Sequence, residues 1–137
     1  MIPVNQTKFT FEEGNCGEAC VASILEIELS EVPKFNDPSN PTNATGYCQR
    51  VRDFVSKFGY SYIDIRFDDG NDPKEFLKDC WVIATGPSPR AIEDWHRHAV
   101  VWYNGEIVHD PHPDKTKLEK IEMYGIFIKQ DPSIKKR

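Results

Sequence analysis

The sequence predicts an α+β domain, with two helices first and a mostly antiparallel sheet after them. Three observations carry this. Residues 16–28 repeat apolar and small side chains at helical spacing, starting directly after Asn15. Residues 45–58 do so again and stop at Gly59. From residue 60 the pattern changes to alternating or short unbroken apolar runs separated by turn residues.

Each element has its local reason. Asn15 is a favoured N-cap residue, and Ala19, Val21, Ala22, Ile24 and Leu25 make a wide apolar face for a buried central helix over 16–28. "LSEVPKF" reads as a short helical turn or a loop closing at Pro33, and "NDPSNPTNATG" as a turn-rich loop. The second helix puts Tyr47, Val51, Phe54, Val55 and Phe58 on one side. "YSYIDIRF" (60–67) alternates as a strand does, 73–79 suits a short helix, and "CWVIATG" (80–86) is a buried strand. "HAVVWY" and "EIVHD" are strands around Asn104-Gly105, and 120–129 is the last strand.

The 137 residues predict one domain spanning 1–137. A chain of that length buries roughly two-thirds of its unfolded surface, enough for a core without staples. The net charge of −5 argues against a nucleic-acid partner. No run approaches the ~20 apolar residues of a membrane span, and the start lacks the regions of a signal peptide. A cytoplasmic protein is expected, so Cys16, Cys20, Cys48 and Cys80 are expected as thiols. The basic C-terminal "IKKR" reads as a frayed tail, and Asp68, Asp69 and Asp72 as a solvated turn.

Cys16 opens the first helix. Unpaired N–H groups and the helix dipole favour negative charge there, which predicts an activated thiol. Gly17 leaves room for a substrate to approach those N–H groups, where the oxyanion of acyl transfer would be held. Cys20, one turn on, reads as a small core residue.

A nucleophilic thiol needs a base, and the base needs a group to orient it. All four histidines lie between residues 96 and 112; His98 opens one strand and Asp110 closes the next. Whether these two meet is a question of parity. A two-residue Asn104-Gly105 turn pairs Tyr103 with Glu106 and puts His98 and Asp110 on opposite faces. A three-residue loop with a G1 bulge pairs Trp102 with Glu106 and puts them on the same face. The catalytic reading therefore requires the three-residue loop, although Asn-Gly ordinarily signals the two-residue turn.

"NCGEACVASIL" resembles the nucleophile helix of papain-like cysteine peptidases, most closely the C39-like, bacteriocin-processing branch. "HAVVWYNGEIVHDP" resembles that branch's His strand, hairpin and Asp-Pro end, and the order Cys, His, Asp agrees. The resemblance covers these two motifs and the helix-then-sheet order. It implies a papain-like fold in which Cys16 is the nucleophile, His98 the base and Asp110 the orienter. It also implies a Gln donor to the oxyanion. Gln6 is the only Gln upstream of Cys16; it stands ten residues away, further than the family usually has it. A loop insertion at "FEEG" absorbs the difference, or else Gln6 is a polar surface residue.

The expected activity is thus a cysteine peptidase-like hydrolase or acyltransferase acting on a peptide, isopeptide or small amide, with no cofactor and no metal. Gly17, Trp95, His96 and His109 are candidates for the substrate cleft. The stiff "GPSPR" loop either shapes access to that cleft or merely connects. Two alternatives stand beside this reading. One is an inactive papain-like protein that sequesters a peptide or small molecule, favoured by the poor spacing of Gln6. The other is a metal-binding protein with His96, His98, His109 and His112 as candidate ligands, His96 and His98 sharing a strand face and "HDPH" offering N and O donors nearby.

Overall fold

The computed structural model describes residues 1–36, 39, 44–68 and 70–130. Over these, helix α1 (Cys16–Leu25) and helix α2 (Ala44–Ser56) precede strands β1 (Tyr60–Arg66), β2 (Trp81–Pro87), β3 (Arg97–Tyr103), β4 (Glu106–His109) and β5 (Met123–Lys129). The strands form one sheet in the order β1-β5-β2-β3-β4, every neighbour antiparallel. This is the expected α+β, papain-like arrangement, with α1 packed on β3 and β2 and α2 packed on β1. Among the described residues no helix is long and apolar enough to cross a membrane.

Helix α1 lies close on the sheet because its inward side chains are small. Ala19, Cys20 and Ala22 are fully buried, and burial extends from Gly17 through Ile24. The helix is shorter than its periodicity suggests. It ends at Leu25, where Glu26 turns left-handed (φ 59°) and its N–H closes on the Ala22 carbonyl. The sequence beyond is Glu-Ile-Glu, and acidic side chains are unfavourable at the negative end of a helix dipole. Glu26 instead pairs with the N-terminal ammonium of Met1 at 3.0 Å. A 3-10 turn follows over Leu29–Glu31. Helix α2 likewise ends early, at Ser56, and residues 57–59 turn into β1 with Gly59 at φ 81°. The short helix expected over 73–79 is a single 3-10 turn, Lys74–Phe76.

The core has two layers. Between helices and sheet lie Cys20, Val21, Phe35, Val51, Val55, Tyr62, Val101 and Phe127. Trp102, Tyr124, Val82, Val100 and Leu77 fill the sheet's other face, beneath the 67–80 and 112–121 connections. Most of the expected loop at 36–46, the expected turn residue Asp69 and the basic tail lie outside the described residues.

Candidate active site

Cys16 is the first residue of α1 and lines a cleft of about 490 Å³ together with Gln6, Gly17, Tyr47, Trp95 and His98. The helix start differs from expectation in a way that matters for chemistry. Asn15 is the N-cap residue, yet its side chain makes no capping bond. Its Oδ1 accepts the N–H groups of Thr7 and Lys8 at 2.9 and 3.0 Å, and its Nδ2 donates to Thr7 Oγ1. The first intrahelical bond runs from the Ala19 N–H to the Asn15 carbonyl. The N–H groups of Cys16 and Gly17 are therefore left without an intrahelical acceptor.

The same Asn15 contacts place Gln6. By holding Thr7 and Lys8 against residue 15, they loop out residues 9–14, so that Gln6 reaches the cleft despite its ten-residue separation. Gln6 is buried; its N–H donates to the Pro111 carbonyl at 3.0 Å, and its Nε2 donates to the Lys8 carbonyl at 2.9 Å. Its Oε1 is buried without a partner among the described residues.

His98 and Asp110 are both buried and meet at 2.7 Å, His98 Nε2 to Asp110 Oδ1. They do so by a route the sequence reading did not foresee. The turn is the two-residue form: Tyr103 pairs with Glu106, and Asn104 and Gly105 both have positive φ, 49° and 90°. Asn-Gly thus does what its chemistry favours, and the expected three-residue loop is absent. Parity is restored inside the strand. Trp102 pairs with Ile107, but Val101 pairs with His109, so Val108 is an extra, bulged residue. Continuing that register places Asp110 across from Val100, on the side shared by His98.

Asp110 is held from all sides. Besides His98, its Oδ1 accepts the His112 N–H at 2.9 Å and its Oδ2 accepts the Lys117 N–H at 2.7 Å. Burial by itself would raise its pKa, but these hydrogen bonds and the His98 charge prevail and hold it well below the usual carboxylate range. His98 is the complement. Burial opposes its charged form, yet the hydrogen bond to Asp110 and the neighbouring Cys16 outweigh burial and push it up to about 9. The imidazole thus has the carboxylate on Nε2 and shares the cleft with the Cys16 thiol.

Burial, with smaller effects from nearby negative groups, pushes the Cys20 thiol well above its ordinary value, and burial also raises Cys48. All four cysteines are free.

Of the expected cleft residues, Trp95 and Gly17 line the cleft, but Gly17 does not leave open room there. A Cβ at residue 17 would come within 1.6 Å of Tyr47 Oη, so the tyrosine fills the space the glycine vacates. His96 and His109 do not line the cleft. His96 stacks on Phe11 (ring centroids 3.7 Å apart), and its Nδ1 accepts the N–H groups of Ile92 and Glu93, so it builds the wall from behind. His109 lies across the hairpin from His98's side and bonds the Val4 carbonyl at 2.8 Å, anchoring the segment that carries Gln6. The expected pairing of His96 with His98 is absent, since His96 precedes β3. Among the described residues no three His, Cys, Asp or Glu side chains are grouped to hold a metal ion.

Sequence reasoning missed Phe9, Phe11, Tyr47 and Arg66, all of which line the cleft, and His112, weighed only with the other histidines, lines it too. Tyr47 carried only a core signal, its place on the apolar face of α2. His112 stood in the histidine cluster, and its packing on Phe9 and near His98 comes from the loop after β4.

With this geometry in place, comparison with solved structures gives one fold match. The chain resembles the peptidase domain of Streptococcus ComA, a bi-functional ABC transporter involved in a quorum-sensing pathway. The likeness covers 93% of this chain and 97% of that one, with a TM-score of 0.52 and 14% sequence identity. At that identity it carries the fold, and it agrees with the papain-like arrangement described above. No family model matches the sequence, and no curated protein matches it by sequence.

Proposed function

We propose that the protein is a papain-like cysteine hydrolase or acyltransferase, with Cys16 as nucleophile, His98 as base and Asp110 as its orienter. The observation that carries this reading is a buried imidazole held by Asp110 at 2.7 Å in the cleft that it shares with a thiol at an uncapped helix start. The fold likeness to a peptidase domain supports the same reaction class. A peptide, isopeptide or small amide fits a cleft of this size, and the chemistry needs no cofactor.

In the proposed reaction Cys16 reacts as the thiolate beside the His98 imidazolium, which already holds the proton, and the sulfur attacks the carbonyl carbon, forming a C–S bond. The N–H of Cys16 and the second amide hydrogen of Gln6 receive the oxyanion. The His98 imidazolium protonates the leaving amine as the C–N bond breaks. Water or an amine then attacks the thioester, giving its proton to the now neutral His98, and the C–S bond breaks to restore the thiolate beside the imidazolium. The free thiols suit a reducing, cytoplasmic setting, and residues 1–137 are read as one working domain.

Iodoacetamide labelling near neutral pH, followed by peptide mass spectrometry, tests this. Cys16 is expected to react ahead of Cys20, Cys48 and Cys80, and His98→Ala to remove that preference. Slow, equal labelling of all four would overturn the nucleophile.

One observation favours a second reading, a binding protein without turnover: Gln6 Nε2 already donates to the Lys8 carbonyl. On that reading Cys16→Ala leaves the biological effect unchanged.

A further inference from the structure

The chain is acidic, yet its cleft is lined by three of its six arginines, Arg66, Arg90 and Arg97, and by none of its described lysines. Arginine offers a planar fork of donors that matches a carboxylate in two parallel hydrogen bonds. Two of the three are already engaged. Arg90 pairs with Asp114 at 2.9 Å and bonds Thr116, and Arg97 pairs with Glu122 at 2.8 Å. The arginines elsewhere in the described chain are engaged too, Arg50 with the Phe35 carbonyl and Arg52 with Asp64. Arg66 differs. It is exposed, lines the cleft, and has no carboxylate partner among the described residues.

Its place relative to the thiol follows from the sheet. Arg66 pairs with Met123, Met123 with Thr85, and Thr85 with Ala99, so these four residues form one row across β1, β5, β2 and β3. All four line the cleft, and Ala99 adjoins His98. Three strand spacings put the Arg66 end of the row about 14 Å from the His98 end, which an extended peptide covers in about four residues.

We propose that the cleft binds a peptide carboxylate at Arg66, about four residues from the bond presented to Cys16. The four-residue register rests on the reading of Cys16 as nucleophile; the carboxylate site does not. The carboxylate belongs either to a Glu or Asp side chain or to the peptide's own C-terminus. Met123 and Cys48 flank the same part of the cleft and are buried, so the pair forms beside apolar atoms, where it is stronger than in open water.

The probe is a set of positional-scanning pools of quenched fluorescent decapeptides. Each pool has one position fixed as Glu, Gln or Lys, and each is made with a free and an amidated C-terminus. Cleavage is read with wild type, and binding with Cys16→Ala by fluorescence polarisation. A preference of about tenfold for Glu over Gln is expected at one position about four residues from the cut. If the free C-terminus is the ligand, the preference follows the free-against-amidated comparison instead. Arg66→Gln removes the preference, and Arg66→Glu turns it toward Lys. Arg66 has no carboxylate partner among the described residues to lose, so an unchanged thermal midpoint is expected and serves as the folding control. Equal use of Glu, Gln, free and amidated peptides by wild type would overturn the proposal, as would a preference that survives Arg66→Gln. Arg66-dependent binding by Cys16→Ala, with no cleavage by wild type, would remove the thiol chemistry and leave the carboxylate site standing.

Discussion

Replacing Asp110 by Asn removes the charge that holds His98 while keeping the side chain's shape. In the folded protein one carboxylate accepts three hydrogen bonds, from His98 Nε2 at 2.7 Å, the His112 N–H at 2.9 Å and the Lys117 N–H at 2.7 Å. The side chain is buried, so water does not replace what is lost. His98 keeps its proton up to about 9, against 6.5 for an ordinary histidine. A difference of that size corresponds to about 3 kcal/mol of stability. Because the folded pKa is raised, that stability is fully present below pH 6.5 and is lost as the pH rises through about 9. Asp110 is the other end of the same interaction and is counted once. Its folded pKa is depressed, so its share is present above 3.8 and fades as the pH falls below it. Part of the His98 shift comes from Cys16, so Asp110 accounts for less than the whole. Asn also turns an amide N–H₂ toward either His98 or the Lys117 N–H. In urea denaturation, Asp110→Asn is expected to lose about 2–3 kcal/mol at pH 6 and only about 1 kcal/mol at pH 10, the remainder being the mismatched hydrogen bond. A deficit below about 0.5 kcal/mol at pH 6, or one of equal size at both pH values, would refute the charged-pair argument.

Three further perturbations probe the surrounding frame. Gly17→Ala drives a methyl group into Tyr47 Oη and is expected to cost about 1–3 kcal/mol in thermal or urea unfolding. Adding Tyr47→Phe should recover part of that, and strictly additive losses would argue against the contact. Asn15→Ala releases Thr7 and Lys8 without uncapping α1, so far-UV circular dichroism should hold while activity falls about tenfold through a displaced Gln6. Deleting Val108 removes the bulge and turns Asp110 from His98, so Cys16 should lose its labelling preference while the hairpin's exchange protection persists.

The sequence was a good guide where one rule governs a stretch of chain. Apolar periodicity located both helices and the strands to within a few residues, because burial dictates that pattern directly. It failed where two local rules compete. Helical spacing continued past Leu25, but the acidic Glu26 and Glu28 made that end a poor place for a helix to continue. Asn15 had the right chemistry for a cap, but three loop contacts claimed its side chain. The hairpin is the sharpest case. The turn rule for Asn104-Gly105 and the demand that His98 meet Asp110 conflicted in the sequence, and the choice between loop lengths was framed as if the strands were regular. The bulge at Val108 satisfies both, and a single Val in a strand gives no sign of it. The cleft walls were illegible for another reason. Phe9, Tyr47 and Arg66 come from three distant parts of the chain, and only the packing brings them together.

Several local irregularities lie close to Cys16 and Asp110. The two buried polar atoms left without a partner among the described residues are Gln6 Oε1 and Glu18 Oε2, one beside the cleft and the other in the first turn of α1. Glu18 Oε1 accepts the Phe35 N–H at 3.0 Å, and burial raises this carboxyl's pKa in spite of that bond. Lys115 and Lys117 adopt left-handed backbone angles, φ 55° and 66°, in the loop that wraps Asp110. Each such feature costs about 1–3 kcal/mol. Lys117 shows what the cost obtains: its strained backbone aims an N–H at Asp110 Oδ2. Lys115 reaches back to the Asp110 carbonyl and to Asn5, next to Gln6. The Asp110 loop and the Gln6 segment are thus tied together, with His109 and the Pro111 carbonyl completing the link. Because the two segments are bonded to each other, a perturbation of the 112–118 backbone should disturb both Asp110 and Gln6, read as a loss of the Cys16 labelling preference.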